Sequence, residues 1–198
     1  MHYKINGVSQ MSLFSADTED PVIDDLAGLL AAQGQSVHTS LGARVSVVVG
    51  EQWRADEIAA DIMATGLDAE TLTSEEGSPI ARTEANPRIT ALHRRWSSGA
   101  VKAVPEGWTP SPRALRLWVL AAGRFDGVHY VLGLDPSAPD THAPLATSLM
   151  RVGIAPTLVG VRGNNPALRV SGHKRLSRLA ETVGGVPLEA PGGVWPEG

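Results

Sequence analysis

ADEIAADIMATGLDAETLTSEEGSPIARTEANPRITAL, residues 55–92, lies without a gap on HAPLATSLMRVGIAPTLVGVRGNNPALRVSGHKRLSRL, residues 142–179, when shifted forward by 87 positions. Met63 falls on Met150, Gly66 on Gly153, Pro79 on Pro166, Arg82 on Arg169, Arg88 on Arg175 and Leu92 on Leu179. Apolar positions agree as well: Ile62 with Leu149, Leu67 with Ile154, Leu72 with Val159, Ile89 with Leu176. A period this long is too large for a solenoid unit. It predicts two copies of one small half-domain about an approximate twofold axis, with function where the copies meet.

The elements around the repeat can be read by their punctuation. Asp20 and Pro21 resemble an N-cap followed by proline at the first helical position, opening a helix that stops near Gly34. Residues 36–49 read as two strands turning at Leu41–Gly42–Ala43. A helix over 54–65 ends at Gly66. Residues 69–84 read as a hairpin turning at Glu76–Gly77–Ser78–Pro79, and 88–96 as a third helix. The segment 98–110 is a Gly/Pro-bearing connector. The pattern then restarts. Ser111 and Pro112 cap a helix over 113–125, and 128–135 is strand-like. A helix from Asp140 or Thr141 reaches Val152, a hairpin spans 156–172, and 173–184 is a last helix. Each half is thus α, hairpin, α, hairpin, α, an α+β architecture. The first hairpin of the second half is expected to be the shorter. The halves span 20–97 and 111–185. Residues 1–19 read as a poorly ordered N-terminal segment in which Met11 is an alternative start, and 186–198 as an extended Pro/Gly-rich tail.

Composition excludes several classes. The chain has 198 residues, 42% of them hydrophobic, which supports a real core. No apolar run approaches the ~20 residues of a membrane span, and no signal peptide is visible. Cysteine is absent, so there is no disulfide and no thiolate chemistry. The cytoplasm and a monomeric state are the expectations. Net charge is −4, but residues 1–100 carry 7 Lys and Arg against 14 Asp and Glu, while residues 101–198 carry 10 against 7. The six histidines show no metal-ligand spacing. There is no GxSxG elbow. GVRGNNP lies between two strands, not between strand and helix, which argues against a phosphate loop. The five tryptophans read as packing residues, with Trp118 in the core.

Two segments carry chemical meaning. Residues 26–34 read LAGLLAAQG and residues 119–127 read VLAAGRFDG. Both resemble the LAGLIDADG motif of homing endonucleases, and the element order and duplication from about residue 20 to residue 185 resemble that superfamily too. The resemblance implies two saddle-forming antiparallel sheets and two motif helices packed about a pseudo-twofold. Small residues suit such a seam, because they let helix axes approach below the usual 8–10 Å. Ala27, Gly28 and Ala31 supply them in one helix, Ala121 and Ala122 in the other.

In the resembling family the eighth motif position is an acid in each helix, and the two acids hold divalent metal for phosphodiester hydrolysis. Asp126 takes that position in the second copy and Gln33 in the first. Glutamine is a poor partner for Mg²⁺, which prefers carboxylates. No cofactor is therefore expected unless the protein is catalytic, in which case Mg²⁺ on Asp126 is implied. The saddle implies duplex DNA as partner. Candidate contacts are Arg44, Arg82, Arg162 and Arg169 on or beside the hairpins, Lys102 in the connector, and Arg88, Lys174 and Arg175 on the third helices. Arg82 and Arg169 lead, because the offset sets them at equivalent points. Glu70, Glu75, Glu76 and Glu84 on the hairpin of 69–84 would repel phosphates. Three readings follow: a DNA-binding protein with a decayed, non-cleaving centre, a nicking endonuclease built on Asp126, or a module for a protein partner.

Overall fold

The structure, a computed structural model, describes residues 14–197. The expected alternative start at Met11 lies outside the described residues. Part of the N-terminal segment does not match the expected loose order. Ala16–Thr18 is a 3₁₀ turn capped by Ser15, and Ala16 is fully buried.

The first half runs α1 (Ala27–Ala31), β1 (Gln35–Thr39), β2 (Gly42–Val48), α2 (Gln52–Ala64), β3 (Ala69–Thr73), β4 (Pro79–Thr83) and α3 (Thr90–Arg95). The connector carries a small hairpin, β5 (Ser97–Ser98) and β6 (Val101–Lys102). The second half runs α4 (Pro112–Ala122), β7 (Gly123–Asp126), β8 (His129–Gly133), α5 (His142–Arg151), β9 (Thr157–Val159), β10 (Ala167–Val170) and α6 (His173–Val183). The two halves thus repeat one α-ββ-α-ββ-α order. Each folds its strands into an antiparallel sheet of the same order, β1-β2-β4-β3 and β7-β8-β10-β9. Among the described residues no helix is long and apolar enough to cross a membrane.

Local chemistry explains the repeated points. Gly66 and Gly153 both sit at positive φ, +77° and +83°, just after α2 and α5. Their N–H groups donate to Met63 and Met150 carbonyls, closing both helices alike. The helix expected to start at Asp20 is shorter than its pattern. Ile23–Leu26 is a 3₁₀ turn that runs into α1. Asp25 accepts from the Val22 N–H at 2.8 Å and from Ser111 Oγ at 2.7 Å. Ser111 in turn caps α4 by accepting the Ala114 N–H. One carboxylate therefore ties the entries of both motif helices together.

The core follows strand alternation. Ala43, Val45 and Val47 of β2 are buried, whereas Arg44, Ser46 and Val48 face outward. α4 is apolar nearly all round, with Leu115, Leu117, Trp118, Val119 and Leu120 buried, as befits a central helix. Trp118 donates its indole N–H to the Gly133 carbonyl at 3.1 Å.

The second half departs from its sequence reading at one point that matters. The helix expected over 113–125 ends at Ala122, and GRFD is strand β7. Gly123 is extended at φ −81°, ψ 138°, and a Cβ there would fall 2.5 Å from the Tyr130 hydroxyl. Phe125 then packs edge-on against Tyr130. Asp126 pairs with His129 across a two-residue turn that starts with Gly127 at φ +63°. A glycine there suits the turns that close tight hairpins. The tail beyond α6 is also anchored. Trp195 is buried, donates to the Gly184 carbonyl and lies under the Arg116 guanidinium, while Tyr130 donates to the Val194 carbonyl.

Candidate nucleic-acid interface

Strand pairing fixes which residues of the two halves correspond. Gln35 stands opposite Ser46, and Ser46 opposite Arg82. Arg124 stands opposite Val131, and Val131 opposite Arg169. Arg82 and Arg169 are the pair set by the repeat, so Gln35 corresponds to Arg124. One residue back, Gly34 corresponds to Gly123; a further step pairs Gln33 with Ala122. The second motif copy is therefore LRLWVLAAG, residues 115–123, rather than residues 119–127. Asp126 lies beyond the helix, at the end of β7, and not at the motif's eighth position.

Gln33 and Ala122 line one cleft of about 430 Å³. Val48, Val49, Gly50, Glu51, Arg54, Ser78, Ala121, Gly123, Arg124 and Gly133 complete it. Val48, Arg124 and Gly133 belong to the outward rows of the two sheets, so the sheet faces meet here. The seam leads into this cleft. Ala27, Gly28 and Ala31 are buried, and Gly28 lies directly on the Ala114 backbone of α4. Ala121 and Ala122 are half-buried at the cleft end of α4. Ala122 sits against Gly133, where a Cβ would come within 3.1 Å of its own.

Both motif helices end on a cation. Arg54 is 7% exposed and reaches from α2 to the end of α4. Its guanidinium donates to the carbonyls of Val119 at 3.1 Å, Leu120 at 2.9 Å and Gly123 at 3.0 Å, and its Nε pairs with Glu51. Lys102 does the same for α1. Its Nζ donates to the Ala32 carbonyl at 3.1 Å and to Asp135 at 2.8 Å. Gln35 and Ser137 also donate to Asp135. Positive charge at a helix C-terminus is favourable, since the last carbonyls lack intrahelical donors. Burial opposes the Asp135 charge, but the hydrogen bonds from Lys102 and Ser137 outweigh it and hold the carboxyl below its ordinary range.

These residues do not fit the divalent metal that the resemblance implies. Gln33 and Ala122 bring no carboxylate to the cleft. Glu51 is engaged by Arg54, and the helix-end carbonyls already face cations. Among the described residues no three His, Asp or Glu side chains converge in a metal-binding group.

The sequence-predicted contacts divide. Arg44, Arg82 and Arg169 lie in the outward rows of their strands. Arg162 is exposed in the loop between β9 and β10. Lys102, expected as a DNA contact, is instead buried between the halves, its side chain 8% exposed. Arg88 donates to the Gly66 carbonyl at 3.0 Å, at the end of α2. Lys174 and Arg175 are exposed on α6, which packs on α4 rather than in a sheet row. Arg124, exposed in the outward row of β7, completes the set. Its segment reads as helix in the sequence. The signal that reveals it is the break at Gly123 followed by Asp126–Gly127.

Comparison with solved structures places the chain in the LAGLIDADG fold. The homing endonuclease I-WcaI bound to its DNA recognition sequence superposes with a TM-score of 0.58 at 10% identity, over 90% of this chain and 89% of that one. Full-length DUF199/WhiA from Thermotoga maritima gives 0.60 at 16% identity, over 83% of this chain but only 55% of that one. The N-terminal LAGLIDADG domain of DUF199/WhiA gives 0.57 at 16% identity, over 84% of each chain. No protein-family model matches the sequence, and neither does any curated protein.

Proposed function

We propose that this protein binds duplex DNA across the outward faces of its two sheets and does not cleave it. The observation that carries the second half of this reading is the cleft. Gln33 and Ala122 stand where catalysis in this fold needs two acids, and Arg54 and Lys102 cap the adjoining helix ends. A two-metal displacement needs negative ligands on both sides of a phosphate, and the cleft offers none that is free. The first half rests on the arginines of the sheet rows. Arg44 and Arg124 have no acidic partner among the described residues and lie in the outward rows of the two sheets, and Arg124 also lines the cleft where the faces meet. Arginine suits both phosphate and guanine contacts.

Two measurements test this. With Mg²⁺ or Mn²⁺ the purified protein leaves supercoiled plasmid intact, and Asp126→Asn behaves identically. Linearisation or nicking by wild type, lost in Asp126→Asn, would restore Asp126 as a metal ligand. In the second test, fluorescence titration with a mixed-sequence duplex gives binding that weakens steeply with salt. Arg44→Ala and Arg124→Ala each lower the slope of log K against log salt by about 0.9, one phosphate contact apiece. Absence of binding even at low salt would favour the protein-partner reading, which the acidic first half supports.

A further inference from the structure

We infer that Glu70 and Asp126 hold Arg82 and Arg169 in place of DNA phosphates, so that each sheet carries an internal competitor of the duplex. This rests on the duplex binding proposed above and adds a control on its strength. Arg82 donates through Nε at 2.9 Å and through a terminal nitrogen to the same oxygen of Glu70. Arg169 donates through one terminal nitrogen to Asp126 at 3.1 Å. The two arginines hold corresponding positions, yet their acids do not. Glu70 lies on β3, directly opposite Arg82, whereas Thr157 takes the matching place opposite Arg169. Asp126 comes instead from β7, on the other side of β8. The repeat by itself therefore does not account for both arginines being neutralised. Two different strands supply the same charge pairing at the same point.

The second pair is also incomplete. Arg169 Nε is buried with no acceptor, and Nδ1 of His129, which stands opposite Asp126, is likewise buried without a hydrogen-bond partner. A buried donor without an acceptor is unfavourable, and a single carboxylate has not satisfied this one. A phosphate offers more acceptor oxygens and bonds arginine in a forked geometry that neither pair has here. Both pairs are open enough for exchange, with side chains between 32% and 55% exposed. Ion pairs of this kind are weak, so they attenuate affinity rather than block it. Asp126, read from sequence as a metal ligand, takes the role of a phosphate surrogate.

The test titrates one mixed-sequence duplex, at two salt concentrations, with wild type, Glu70→Gln, Asp126→Asn and Glu75→Gln. Glu75 is exposed in the turn between β3 and β4 and contacts no arginine among the described residues, so it reports the effect of net charge alone. Glu70→Gln and Asp126→Asn each tighten binding by roughly three- to fivefold at low salt, the equivalent of one exposed ion pair. Each also steepens the salt slope by about 0.9 as a further phosphate contact is released for use. Glu75→Gln changes affinity by less than either. Binding by all four proteins with no gain beyond that of Glu75→Gln overturns the competitor role and leaves DNA binding standing. No binding by any of them overturns both.

Discussion

Gly28→Ala lowers stability by about 3 kcal/mol or more, a shift in melting temperature of roughly 6–12 °C for a chain of this size. A Cβ at Gly28 would lie 1.8 Å from the Ala114 carbonyl oxygen and 2.7 Å from its carbon. Both are backbone atoms of α4, so no side chain can swing away to make room. The two motif helices must separate, and the tie from Asp25 through Ser111 to the start of α4 separates with them. Overpacking is usually milder because side chains repack; here the obstacle is the helix itself. Gly50→Ala is the matched control, since nothing lies within 4 Å of a Cβ at that position. Thermal melts of the two variants and wild type decide it. A Gly28→Ala melt that overlays the control would mean that the helices do not meet through this glycine.

Lys102→Met costs about 3–5 kcal/mol, the usual penalty for stranding one member of a buried ion pair. The side chains of Lys102 and Asp135 are 8% and 6% exposed, so water cannot replace the lost ammonium. Asp135 keeps Gln35 and Ser137, but the Ala32 carbonyl at the end of α1 loses its donor. Adding Asp135→Leu to Lys102→Met recovers much of the loss, because replacing both charges removes the stranded anion. The pH dependence has a definite sign. The Asp135 carboxyl is held below its ordinary range in the folded protein. Its contribution is therefore complete above the unfolded pKa of about 3.9 and is lost as pH falls through the lower folded value. Urea denaturation should show the largest gap between wild type and Lys102→Met near neutrality, closing in acid. An equal gap at pH 7 and pH 3 would remove the Asp135 charge from the explanation.

Much of the architecture is legible in the repeat because residues 55–92 and 142–179 have the same length. Equal spacing puts the helix stops at Gly66 and Gly153 and the strand arginines at Arg82 and Arg169 on matching points of the two sheets. The motif outside that window is harder to align. Asp126–Gly127 copies the last two letters of the motif, yet in the fold it is hairpin chemistry. That single misplacement hides strand β7, puts Asp126 at the cleft and conceals Arg124. The helix caps are unreadable for a different reason. Arg54 and the carbonyls it meets are separated by 65 to 69 residues, and Lys102 and Ala32 by 70. No local pattern marks such pairs. Glu70 is visible as an acid on a hairpin, but only the register identifies Arg82 as its neighbour.

The two caps have a consequence for how the halves depend on each other. Arg54 comes from the first half and completes the central helix of the second. Lys102 comes from the connector, outside the repeated segment, and completes the central helix of the first. Neither cation has a counterpart in the other copy, for the repeat sets Thr141 where Arg54 would recur. A symmetric homodimer must use one set of residues for both sides of its interface. Two first halves associating with each other would lack Lys102, and two second halves would lack Arg54. Because both halves lie on one chain, each central helix is completed by a cation from outside its own half, and the two caps make each half depend on the rest of the chain.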